Sequence, residues 1–134
     1  MHDALAHFLD AQPDLVLGIV FGSVNRGTER WASDLDVGVM AEAPLSAKRK
    51  KDLIEALALR FGRPVDLVDL QTARGVLLHE ILRTGTLVYA PDRTHYAELM
   101  KRHVFDQADF MPYYKRLLAD RRRRWLDDDL NNDV

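Results

Sequence analysis

At 134 residues, with 47% apolar and 30% charged side chains, the chain has the size and make-up of one small globular domain. Its 19 Lys+Arg against 21 Asp+Glu leave a net charge of −2, so no global field draws nucleic acid or an anionic membrane, and neither is expected as a partner. The absence of cysteine excludes a disulfide framework, thiolate zinc sites and cysteine catalysis, and without a signal-like start or an apolar stretch near ~18 residues the expected location is the cytoplasm.

In chain order, residues 3–11 are predicted to form a short helix closed by Pro13. Leu15-Val16-Leu17-Gly18-Ile19-Val20-Phe21 is a continuous apolar run of strand length, the pattern of a strand buried on both faces, and it ends at Gly22. A polar, irregular stretch leads to a second strand over residues 35–40. Ser46 is placed to cap a helix running to about Arg60 with Leu53, Ile54, Leu57 and Phe61 on one face. Gly62 and Pro64 supply its stop. Residues 65–70 read as a third strand. Thr72 precedes another helix carrying Leu77, Leu78, Ile81 and Leu82, with Gly85 just past its end, and residues 86–89 form a short strand before the Pro91-Asp92 turn. From about Thr94, helical spacing sets Tyr96, Leu99, Met100, Val104, Met111, Tyr114, Leu118 and Trp125 in one stripe, which Pro112 should kink. The expected organisation is an α/β domain over residues 1–92 and a helical arm over residues 93–134, packed on the domain or on a partner.

Three features carry chemistry. A buried strand ends in Gly22-Ser23, where glycine lets the backbone approach a phosphate and Ser23 adds a hydroxyl and an amide. Ten residues later comes Asp34-Leu35-Asp36 at the start of the next strand. Alternation puts these carboxylates on one face, roughly 6.5–7 Å apart at the Cα level, where they can hold Mg²⁺ shared with phosphates. The strand Val65-Asp66-Leu67-Val68-Asp69-Leu70 carries two carboxylates on opposite faces, so one alone can join the pair. Asp66 is preferred, because Asp69 sits at the strand's end, where an acid commonly caps a turn or the next helix. An isolated Asp-x-Asp is usually a turn cap; the joint arrangement is far more specific. It suits nucleotidyl transfer, an in-line displacement at the α-phosphorus assisted by metal-bound carboxylates.

Phe21-Gly22-Ser23, ten residues and Asp34-Leu35-Asp36 resemble the signature of the polymerase-beta-like nucleotidyltransferases. The short length, the 65–70 strand and Gly85-Thr86-Leu87-Val88-Tyr89 resemble the minimal nucleotidyltransferase branch, the antitoxins paired with HEPN-domain toxins. The resemblance implies that fold, a small mixed sheet flanked by helices, with a C-terminal helical arm. It also implies transfer of AMP from ATP to tyrosine hydroxyls of a HEPN ribonuclease toxin, silencing it in a stable hetero-oligomer. By position Ser23 would contact triphosphate, Asp34 and Asp36 would bind Mg²⁺, and Asp66 would be the third carboxylate. Arg26 and Arg30 have two readings, phosphate contacts or solvated loop charges, and Arg26 is taken as a candidate phosphate ligand. Two other functions fit the same residues: an antitoxin that acts by binding alone, through its arm, and a nucleotidyltransferase acting on a small molecule such as an aminoglycoside. Arg121-Arg122-Arg123-Arg124 reads as a solvated helix face or an acidic-partner contact ahead of an RNA patch. His79 reads as a structural residue beside Leu78 and Ile81.

Overall fold

In the computed structural model, which describes residues 1–22 and 33–106, the apolar run after Pro13 becomes strand β1 (Leu15–Phe21). It lies between β2 (Leu35–Ala41) and β4 (Thr86–Tyr89), antiparallel to both, while β3 (Val65–Asp69) pairs parallel to β2 on the outer side. The sheet order is therefore β3-β2-β1-β4. Helix α1 (His2–Asp10) precedes β1, α2 (Ala47–Phe61) joins β2 to β3, α3 (Gly75–Thr84) joins β3 to β4, and α4 spans residues 93–106. The α/β architecture with a small mixed sheet follows the expectation, and strands β1 and β4 have the expected limits.

The helices sort onto two faces. Leu5 and Leu9 of α1 and Leu53 and Leu57 of α2 bury against Leu35, Val37, Val39 and Leu67. Leu78 and Ile81 of α3 and Leu99 of α4 bury against Leu17, Ile19, Met40 and Leu70 on the other face. Each such leucine removed from water contributes roughly 2 kcal/mol. Both faces of β1 and β2 are thus covered, which is why these strands carry no polar alternation. The pairing of β1 with β2 shifts register between Leu15 and Leu17, so these two leucines, of equal parity, join opposite clusters.

Helix α2 starts where Ser46 Oγ accepts the Arg49 amide at 3.0 Å. It ends at Gly62, whose φ of 67° returns its amide to the Ala58 carbonyl at 2.9 Å. Within its basic first turn, Arg49 reaches back to Asp14 at 2.7 Å and to the Gln12 amide oxygen at 3.0 Å. That contact holds the Asp14 carboxyl below the usual aspartate value and ties α2 to the loop after α1. Helix α3 begins at Gly75, later than the position of Thr72 suggested. The Thr72 hydroxyl instead donates to the Asp69 carbonyl at 3.3 Å, and its amide to the same oxygen at 3.2 Å, closing the turn after β3.

The expected apolar stripe of the arm divides within α4. Tyr96, Leu99 and His103 turn inward at i, i+3 and i+7, with Leu99 fully buried, while Met100 and Val104 lie further round the helix and are exposed. Arg102 donates to the Leu70 carbonyl, pinning α4 to the end of β3. His79 does more than fill space: its Nδ1 lies 3.0 Å from Nε2 of His103, linking α3 to α4. Both imidazoles are held below the usual histidine value, His79 by burial and then by the charge of His103, and His103 by burial, which Asp106 opposes. Glu80 also raises and Arg83 also lowers the His79 value. As pH falls through the unfolded-state value near ~6.5, the unfolded chain takes up protons that the folded pair refuses, and stability drops until the folded values are reached. Thermal unfolding should show Tm falling between about pH 7.5 and 5.5. His103→Leu should flatten that dependence.

Candidate active site

The sheet's register assembles the acidic residues. Leu35, Val37 and Val39 of β2 face the α1/α2 core, so the alternate position Asp36 faces the α3/α4 side. In the parallel pairing Asp36 lies opposite Asp66, which shares that face. Their Cα atoms are therefore one strand spacing apart, roughly 4.8 Å. In the antiparallel pairing Asp36 also lies opposite Phe21, the last residue of β1. Gly22 follows with a φ of 76°, and a Cβ there would stand 2.0 Å from Asp36 Oδ2. Glycine at this position lets the chain leave β1 in a left-handed turn and lets the carboxylate lie against its backbone. Asp36 is half-buried and Asp66 exposed, while Asp34, one residue ahead of β2, is exposed at the same end of the sheet.

Asp69 is at the other end and on the other face. Its Oδ2 accepts the Leu45 amide at 2.8 Å and its Oδ1 the Gln71 amide at 2.9 Å. It holds together the loop after β2 and the turn after β3. Asp69→Ala would leave two amides unpaired and should cost roughly 2 kcal/mol in urea unfolding. Activity per folded molecule should change less than about twofold, because both carboxylate oxygens of Asp69 are taken up by backbone amides.

Ser23, Arg26 and Arg30 lie outside the described residues, as do Arg121 to Arg124 and the arm beyond residue 106. Among the described residues no three His, Cys, Asp or Glu side chains gather as a metal site. The donor set is the Asp36–Asp66 pair, with Asp34 alongside. Two carboxylates of hard oxygen, open to solvent on one side, fit Mg²⁺, which takes one or two protein carboxylates and completes its shell with water and substrate phosphates. Sequence reasoning singled out Asp36 and Asp66, and the parallel register sets these two positions opposite each other. It missed the contact between Gly22 and Asp36, whose trace in the sequence is only a glycine after a strand. It missed the His79–His103 link as well, because the two are 24 positions apart.

Known proteins share this fold. The chain is 37% identical over 76 residues to the protein adenylyltransferase MntA of Shewanella oneidensis, covering 57% of this chain and 55% of that protein. It thus spans about half the length of that curated relative. A toxin–antitoxin crystal structure with AMP-PNP superposes with a TM-score of 0.66 at 28% identity, over 96% of this chain and 98% of the other. A toxin–antitoxin MntA-HpeT structure, in a mutant with two aspartates two positions apart changed to glutamate, gives a TM-score of 0.66 at 26% identity, over 97% and 98% of the two chains. The family model described as polymerase beta, nucleotidyltransferase matches residues 3–94, which take in the whole sheet and the acidic pair. This chain belongs to the polymerase beta nucleotidyltransferase family.

Proposed function

We propose that the protein transfers AMP from ATP to a tyrosine hydroxyl of a partner HEPN-type toxin and so neutralises it, as a Mg²⁺-dependent antitoxin enzyme of the cytoplasm. One observation carries this reading: Asp36 and Asp66 face each other across β2 and β3, beside the close-packed Gly22. Like charges set side by side weaken a sheet. Their use is to hold cations against a triphosphate. The similar proteins support the rest, through the name adenylyltransferase, the bound AMP-PNP and the toxin–antitoxin pairing. In one of them the altered aspartates have the spacing of Asp34 and Asp36.

In this reading residues 1–92 are the catalytic unit, and the arm of residues 93–134 meets the partner. Leu99 and His103 anchor the arm's first turns to the domain, leaving Met100, Val104 and Phe105 exposed. Gly22 and Ser23 line the phosphate turn, with Arg26 as a further phosphate ligand. Asp36 and Asp66, with Asp34 alongside, would hold Mg²⁺, which when bound would offset phosphate charge and make the acceptor hydroxyl more acidic. The tyrosine oxygen forms a bond to the α-phosphorus as the bond to the bridging oxygen breaks, and pyrophosphate leaves. Asp66, on the outer strand and exposed, receives the hydroxyl proton. Positioning of both reactants supplies most of the rate gain.

Incubation with α-³²P-ATP, Mg²⁺ and the toxin encoded beside this chain should label the toxin on tyrosine. Omission of Mg²⁺ should abolish the label. An unlabelled toxin that the chain still neutralises would overturn the catalytic reading in favour of neutralisation by binding alone.

A further inference from the structure

β3 is an edge strand, paired only with β2 among the described strands. Which of its backbone groups face out follows from two hydrogen bonds. The Leu35 amide donates to the Pro64 carbonyl and the Leu70 amide donates to the Val39 carbonyl, each at 2.8 Å. The Pro64 carbonyl, the amides and carbonyls of Asp66 and Val68, and the Leu70 amide therefore turn toward β2, and alternation turns the amides and carbonyls of Val65 and Leu67 outward. Along this edge runs a groove of about 460 Å³ with Asp66 in its lining. Lys50 of α2 forms one wall, and Arg74 and Leu77, at the start of α3, form the other. Leu77 is 49% exposed, large for an aliphatic side chain beside a sheet. The Arg74 guanidinium is held in place by the Gln71 and Ala73 carbonyls at 3.2 and 2.9 Å. Asp69, the other carboxylate along the groove, is engaged by the Leu45 and Gln71 amides.

We propose that this groove is the docking track of the acceptor: an extended, acidic polypeptide segment pairs its backbone with Val65 and Leu67 and so presents its tyrosine at Asp66. The inference rests on the AMP-transfer reading above and adds to it how the acceptor is held. Outward amide and carbonyl groups that recur every second residue, roughly 6.5–7 Å apart, match a peptide backbone and not a sugar or a nucleotide. An added strand would turn alternate side chains to the two walls. Acidic ones then meet Lys50 or Arg74, and an apolar one meets Leu77 and Val68. The tyrosine would lie at the Asp66 end, on the face that Asp36 shares. Strand pairing would bring its hydroxyl to one position along the groove, which is what an in-line displacement requires.

The test uses the full chain and a fluorescein-labelled random copolymer of glutamate and tyrosine. Fluorescence anisotropy should show binding that weakens at least tenfold in the Lys50→Glu/Leu77→Asp variant and is unchanged in Lys48→Glu, an exposed site on α2 outside the groove lining. Hydrogen exchange read by NMR should show the Leu67 amide slowed at least tenfold by saturating copolymer and unaffected by N-acetyltyrosinamide, which has no chain to pair. No copolymer binding by the unaltered chain, full-strength binding by the double variant, or a Leu67 amide that stays fast would each overturn the docking track. AMP transfer to the copolymer at an unchanged KM in the double variant would overturn it too, and leave the AMP-transfer reading standing. Protection of Leu67 without transfer of AMP would support the docking track and overturn the AMP-transfer reading instead.

Discussion

Asp36→Asn should lower the proposed AMP transfer at least about 10³-fold while leaving the protein folded, as measured by single-turnover labelling alongside circular dichroism. The substitution keeps the shape of the side chain and removes its charge. Asp36 is half-buried at the first full turn of the β2 pleat, between the backbone of Gly22 and the register position of Asp66. No other described carboxylate occupies that central place, since Asp34 is exposed ahead of the strand and Asp69 is spent on the Leu45 and Gln71 amides. In the proposed site, loss of Asp36 would leave the triphosphate's charge opposed by too few fixed groups. Stability should change little, because the substitution keeps the size of the side chain and one of its acceptor oxygens. A variant that loses both activity and stability would mean that Asp36 serves the fold instead.

Gly22→Ala should reduce transfer roughly 10²-fold and cost about 1–2 kcal/mol in stability, read from initial rates and denaturant unfolding. Two causes combine. A φ of 76° is left-handed backbone, which alanine adopts only under strain. The new methyl carbon would also stand 2.0 Å from Asp36 Oδ2, so the carboxylate must move away from its place beside the Gly22 backbone. The two causes separate in a double-mutant cycle. In an Asp36→Ala background the collision is gone and the backbone strain remains, so the stability cost of Gly22→Ala should shrink without vanishing. Equal cost in both backgrounds would mean that the carboxylate is not what the glycine accommodates.

Much of this protein was legible one residue at a time. The apolar run of β1, the Ser46 cap and Gly62 stop of α2, and the limits of β4 are short-range matters of hydrophobic burial and backbone conformation, and the sequence determines them locally. So is the chemistry on offer, because two acids at alternate positions of a strand share a face whatever the strand's neighbours. By contrast, only the tertiary structure decided which distant groups meet. The parallel register of β2 with β3 sets Asp66 against Asp36 and sends Asp69 to the Leu45 loop. Strand parity narrowed the choice between them, but register is a property of two strands, and neither strand's sequence contains it. The same holds for the arm, where a single apolar stripe split once Leu99 and His103 had turned inward onto the sheet and His79. The glycine at position 22 was visible as a turn, and its second role, leaving room for a carboxylate of another strand, came only from the fold. Local rules settle which residues can do chemistry here, and packing between elements far apart in the chain settles which of them do it together.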